Sequence, residues 1–304
     1  PVNNPLNEPI QPIPYPPYAD PEKIALGERL FHEPRLSQDN SIACASCHNL
    51  RAGGVDRARH STGLGGAAGT VNAPTVFNAA LNFKQFWDGR ADTLEEQVDG
   101  PTHNPIEMGS SWSEILEKLS QDTEYRTAFA ALYPNGLTST AVKDAIATYE
   151  RDLLTPNSRF DRFLLGETAI LTPVEQTGYR LFKQYGCVAC HQGANVGGNL
   201  FQKFGLMGDF FADRGLSTTT DRGRARLTGH EEHRHVFKVP SLRLAVLTPP
   251  YFHDGSVQTL DEAVSIMARY QLGRRLDQKE VAAIVAFLKT LPGEYDGKGL
   301  SDAR

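Results

Sequence analysis

The sequence predicts an all-α fold in two similar halves, on three observations. The pattern C-x-x-C-H occurs twice, at Cys44-Ala45-Ser46-Cys47-His48 and at Cys187-Val188-Ala189-Cys190-His191. A pentad G-x-R-L-F precedes each, as Gly27-Glu28-Arg29-Leu30-Phe31 and as Gly178-Tyr179-Arg180-Leu181-Phe182. Apolar residues elsewhere recur at helical spacing, and little of the chain alternates as a strand does. One pentad ahead of one motif, used twice, marks a repeated supersecondary unit. The spacing differs: twelve residues lie between Phe31 and Cys44, and four between Phe182 and Cys187.

Each element has a local reason. Residues 1–19 carry Pro5, Pro9, Pro12, Pro14, Pro16 and Pro17, which predicts an extended arm along the surface. Asp20-Pro21 supplies an N-cap and a proline at the first helical position. Ile24, Gly27, Leu30 and Phe31 follow at helical spacing. Ser111-x-x-Glu114 opens a helix with Ile115, Leu116 and Leu119. Val142, Ala145, Ile146, Tyr149 and Leu153 form an apolar stripe expected in a core. Thr155-Pro156-Asn157-Ser158 is the expected break, giving an arm at 1–19, a first domain at 20–156 and a second at 157–304. Thr172-Pro173-Val174-Glu175 is a capping box before the second pentad. Asp277-x-x-Glu280 starts a last helix with Val281, Ile284, Val285, Leu288 and Leu291, ending before Pro292-Gly293. Gly229-His230-Glu231-Glu232-His233-Arg234-His235 reads as a solvated loop.

The C-x-x-C-H spacing has a chemical reason. Two thiols on one turn can add to the two vinyl groups of one porphyrin, and the next residue can bind its iron axially. All four cysteines of the chain fall in the two motifs. A zinc site would not need a histidine after each pair, and a thioredoxin-like motif would need a βαβ setting that the pattern lacks. Two covalently bound c-type haems, one per cytochrome c-like domain, are therefore expected. The 304 residues suffice for two domains of ordinary size. A net charge of −5, from 31 basic and 36 acidic side chains, leaves no basic footprint for nucleic acid. No apolar run is long enough for a bilayer. Covalent haem attachment implies export, so the start at Pro1-Val2-Asn3-Asn4 is read as a mature periplasmic form whose leader has been removed.

Several stretches then resemble the bacterial di-haem cytochrome c peroxidases, a family that includes the MauG-type oxidases. They are Cys47-His48-Asn49-Leu50 with Gly53-Gly54-Val55-Asp56, and Asn72-Ala73-Pro74-Thr75-Val76-Phe77-Asn78. Gln85-Phe86-Trp87-Asp88-Gly89-Arg90 and Asn104-Pro105-Ile106-Glu107-Met108 follow. Phe237-Lys238-Val239-Pro240-Ser241-Leu242-Arg243 and Pro250-Tyr251-Phe252-His253-Asp254-Gly255 complete the set. The resemblance implies a division of labour. The N-terminal haem, on His48, would meet hydrogen peroxide. The C-terminal haem, on His191, would take electrons from a small c-type cytochrome or a blue copper protein. Met267 is implied as the second axial ligand of that haem, Glu107 as the acid–base residue and Gln97 as a second group over the first haem. Trp87 is implied as the electron bridge between haems, and Asn72, Thr248 and Pro250 as a calcium site between the domains. Family members are often homodimers.

The sequence departs from the family at one position. Many members carry a histidine sixteen residues after the first proximal histidine, where it caps the iron of the oxidised enzyme. That position is Leu64 here, which cannot ligate iron, and the nearest histidine is His60. Two expectations follow: a first haem open on its distal face, which is favoured, or a glycine-rich loop that swings His60 onto the iron. The leading function is peroxide reduction. A non-catalytic di-haem electron carrier and a MauG-like oxidase of a partner protein are the alternatives, and Met267 weakens the latter because MauG enzymes use tyrosine there.

Overall fold

The computed structural model describes residues 7–215 and 217–301. The opening of the expected arm, residues 1–6 with Pro5, lies outside the described residues. Helices dominate, as expected. In the first half they are α1 (Pro21–Phe31), α2 (Cys44–Cys47), α3 (Leu94–His103), α4 (Trp112–Ser120), α5 (Thr123–Leu132) and α6 (Ser139–Asp152). In the second half they are α7 (Arg159–Leu164), α8 (Pro173–Gln184), α9 (Phe210–Arg214), α10 (Ala225–Thr228), α11 (Leu260–Ile266) and α12 (Gln278–Leu288). The predicted caps form. Asp20 accepts from the Glu22 N–H, Ser111 from that of Glu114, and Thr172–Glu175 and Asp277–Glu280 close reciprocal boxes.

The repeated pentads are two copies of one helix crossing. α1 packs on α6, and α8 packs on α12. A Cβ at Gly27 would lie 2.0 Å from the Ala145 carbonyl oxygen, and one at Gly178 would lie 1.9 Å from that of Ala283. Only glycine permits so close an approach. The pentads' last two residues point into the cores: Leu30 and Phe31 in the first, Leu181 and Phe182 in the second. The first core gathers Leu26, Leu30, Ile115, Phe129, Val142 and Ile146. The second is aromatic, with Phe160, Tyr179 and Phe287 rings packed at 4.7 to 5.0 Å. A third cluster joins Phe31 and Tyr149 to Leu244 and Leu247 across the two halves.

Three expectations need correction. The arm is extended but superficial only in its later part: Tyr15 and Tyr18 are 74% and 93% exposed, whereas Ile10 is 0% and Ile13 4% exposed. Ile10 enters the core of the second half, and the Arg243 guanidinium donates to the Gln11 carbonyl at 2.6 Å and to Asp161 at 2.8 Å. The arm thus precedes α1 in sequence and anchors in the other half, with its isoleucines supplying the apolar burial. The chain is also not wholly helical. β1 (Phe201–Lys203) pairs antiparallel with β2 (Val236–Lys238), and β3 (Glu294–Tyr295) with β4 (Lys298–Gly299). Such short strands have no room to display alternation. Finally, His230 of the expected solvated loop is exposed, but His235 is buried. It stacks on Phe211 at 4.0 Å and donates from Nδ1 to the Asp221 carbonyl at 2.7 Å.

The expected break at 155–158 is mostly buried. Asn78 donates to Thr155 Oγ1 at 2.8 Å and accepts from the Thr155 N–H at 2.9 Å. Among the described residues no helix is long and apolar enough to cross a membrane.

Candidate active site

Each C-x-x-C-H motif forms one tight turn at the wall of its own cavity. α2 ends as the His48 N–H bonds the Cys44 carbonyl at 3.0 Å, and the His191 N–H bonds the Cys187 carbonyl at 2.9 Å. The first cavity is lined by Cys44, Cys47 and His48, the second by Cys187, Cys190 and His191. No disulfide uses the four thiols, and burial pushes those of Cys44 and Cys187 up to about 12 and 11.

The histidines are set for metal. His48 Nδ1–H donates to the Gly54 carbonyl at 3.2 Å, and His191 Nδ1–H to the Val196 carbonyl at 3.3 Å. A carbonyl only accepts, so Nδ1 carries the proton and Nε2 keeps its lone pair for a ligand. Burial lowers both imidazole pKa values, that of His191 to about 4, which keeps the rings neutral. Paired half-buried thiols, a neutral imidazole with Nε2 free, and a largely apolar cavity beside them fit a covalently held haem twice over.

The other residues predicted for the site fall around these cavities. Glu107 and Gln97 line the first. Burial raises the Glu107 pKa, opposed by the Asn104 amide, which donates to Oε1 at 2.9 Å, and by the charge of Arg90. Met267 lines the second cavity with His191. It follows α11 directly and opens a turn of π-helix, Met267–Gln271, a distortion frequent at functional sites. Met207, the other methionine after His191, is 65% exposed. Trp87 lines both cavities, and its indole N–H donates to the Asn72 carbonyl at 2.8 Å. Asn72, Thr248 and Pro250 all line the second cavity, and Asn72 Nδ2 donates to the Ala58 carbonyl at 2.9 Å.

Leu64 and His60 line neither cavity. The Leu64 N–H donates to the Glu107 carbonyl at 2.8 Å, and a Cβ at Gly63 would lie 2.0 Å from the Ile106 carbonyl oxygen. The loop is docked on the turn that carries Glu107.

Sequence reasoning gave no role to three further lining residues. Lys238 and His253 line both cavities; each sat in a quoted motif. Glu150 lines the first cavity and is 7% exposed, with no partner for Oε2. Burial pushes its carboxyl up to about 8, with Arg151 opposing and Glu95 adding to the rise. The signal was available: Glu150 lies four residues after Ile146, on the apolar face of α6.

The fold and the two cavities define a protein with two C-x-x-C-H motifs, one in each half, each at the wall of a cavity that fits a haem. The chain belongs to the di-haem cytochrome c peroxidase family: residues 21–169 match the family described as di-haem cytochrome c peroxidase. It is 50% identical to "Cytochrome c peroxidase Ccp" of Escherichia coli K12, over 95% of this chain and 62% of that protein. It is 46% identical to "Cytochrome c551 peroxidase" of Nitrosomonas europaea, over 95% of this chain and 85% of that protein. A solved structure of a "MauG-like protein associated with microbial copper homeostasis" superposes with a TM-score of 0.81 at 29% identity, covering 92% of this chain and 93% of that one. The chain thus spans less than two thirds of the length of the E. coli relative.

Proposed function

We propose that this protein is a periplasmic peroxidase that reduces hydrogen peroxide to water with two electrons from a small donor, a c-type cytochrome or a blue copper protein. The observation that carries the reading is an asymmetry. A carboxyl and an amide, Glu107 and Gln97, line the first cavity, and a thioether, Met267, lines the second. Each haem, when bound, would be held by the two cysteines and the histidine of its motif and would supply one-electron chemistry.

The side chains supply the rest. Glu107 takes a proton from one peroxide oxygen and returns it to the other as the oxygen–oxygen bond breaks. Two electrons and two further protons complete two waters. Burial that raises the Glu107 pKa brings the group closer to working pH, where acid–base exchange is most effective. Gln97 holds peroxide by a hydrogen bond. Trp87, on the wall common to both cavities, carries the electron path between them. Neither Leu64 nor His60 lines the first cavity, so a haem held there by His48 would be left open to peroxide and would need no reductive activation. Asn72, Thr248 and Pro250, which line the second cavity together, would hold a calcium ion through oxygen ligands and so tie the first domain, 20–156, to the second, 157–304.

The likeness to a MauG-like structure favours a second reading, oxidation of a partner protein's side chain, by the same open site. One experiment separates these from a mere electron carrier: mixing the holoprotein with peroxide and reduced cytochrome c, and following donor oxidation. Fast donor oxidation that falls about 10²–10⁴-fold in Glu107→Gln is expected. No peroxide-dependent donor oxidation would refute the peroxidase reading.

A further inference from the structure

Lys238 is 6% exposed and lines both cavities. Its place is fixed twice over. It pairs with Phe201 across the β1–β2 ladder, and its backbone N–H donates to the Trp87 carbonyl at 2.8 Å. Lys238 therefore belongs to the wall common to the two cavities, its backbone one hydrogen bond from that of Trp87 on the same wall.

A buried ammonium needs an anion. The protein shows what such a pairing looks like elsewhere, where the buried Arg243 meets Asp161 at 2.8 Å. Lys238 has no such partner among the described residues. Asp88 acts on it only at a distance, and Asp88 is engaged by Arg90 at 3.0 Å. Burial consequently pushes the Lys238 ammonium down to about 8. The other cations around the cavities serve one each: Arg90 and Arg226 line the first, Lys203 the second. Lys238 is the cation common to both.

We propose that Lys238 is a shared counter-cation for the two haems, its ammonium paired with a propionate carboxylate from each. The inference rests on the haem reading above and adds to it a residue that ties the two sites electrostatically. Three N–H donors on one ammonium suffice for two carboxylates. A positive charge held near both irons favours the reduced form of each, so Lys238 raises both potentials together. It is a positioning residue and takes no part in peroxide chemistry.

The test uses holoprotein, with two haems per chain established by pyridine haemochrome and mass. The reduction potentials of both haems are measured by spectroelectrochemistry in the wild type, Lys238→Gln and Lys238→Arg. Lys238→Gln should make reduction of each haem about tenfold less favourable, ~59 mV for a one-electron couple, and Lys238→Arg should restore most of it. Unchanged potentials would overturn the proposal, and a fall at one haem alone would overturn the shared role. Should Lys238→Gln not mature, resonance Raman of Lys238→Arg decides: propionate-bending bands should move at both haems, and bands identical to wild type would overturn the pairing. A wild-type chain exported with its haem-attachment machinery yet free of haem would instead refute the cofactor reading, and this inference with it.

Discussion

The backbone N–H of Leu64 donates to the backbone carbonyl of Glu107 at 2.8 Å, so the loop that holds Leu64 is tied to the turn that carries Glu107. The loop approaches through Gly63, where a Cβ would lie 2.0 Å from the Ile106 carbonyl oxygen and 2.8 Å from Glu107 Cα. In this chain the segment that holds Gly63 and Leu64 is docked on the turn that carries Glu107, the proposed acid–base residue.

Gly63→Ala should therefore act on chemistry at a distance. The added methyl must push the loop or the Glu107 turn aside, and a displacement near 1 Å can lower turnover about 10²-fold. Steady-state peroxide reduction should fall by roughly that factor, with two haems retained and the second haem's spectrum unchanged. Full activity in Gly63→Ala would show that the loop does not position Glu107.

The paired crossings give a second prediction. Gly27→Ala and Gly178→Ala each place a methyl about 2 Å from a facing carbonyl, and overpacking of this kind costs about 1–3 kcal/mol. Gly299→Ala, with nothing within 4 Å of its Cβ, should stay within about 0.5 kcal/mol of wild type. Denaturant unfolding monitored at both haems checks this. Gly27→Ala should loosen the first haem's environment first, and Gly178→Ala the second's. Identical effects of both on both haems would argue against two separately packed halves.

Glu150 predicts a pH dependence. Its folded pKa of about 8 lies above the ordinary 4.5, so between these values the folded chain holds a proton that the unfolded chain gives up. Stability falls as pH rises through this window, by at most about 1.36 kcal/mol per pH unit. Glu150→Gln should flatten that slope and be more stable than wild type at pH 8. Urea unfolding of the holoprotein from pH 5 to 8 measures it; parallel pH profiles for the two proteins would show Glu150 ionised in the fold.

These residues also show what a sequence can and cannot display. Caps such as Asp20 and Thr172 are legible because the bond they make spans two or three residues. The pentads are legible because a helix crossing without room for a Cβ leaves glycine at the same place twice. The fate of Ile10 is not legible: proline sets an extended backbone, but nothing local says that the segment anchors in the core of the other half. The β1–β2 pairing joins residues 201–203 to 236–238, a non-local contact with three-residue strands. At the site, the two C-x-x-C-H motifs are legible from spacing alone. Glu107, Gln97, Trp87 and Met267 came from resemblance, and each lies at a cavity wall. Glu150 and Lys238 were passed over because a charge in a sequence does not announce its burial.

The most direct test of the whole account is an electron paramagnetic resonance spectrum of the fully oxidised holoprotein, since it reports ligation at both irons at once. The account predicts a high-spin signal from the first haem, open above His48, beside a low-spin signal from the second, closed by His191 and Met267. A purely low-spin spectrum would contradict it, because a side chain would then close the site where peroxide has to bind.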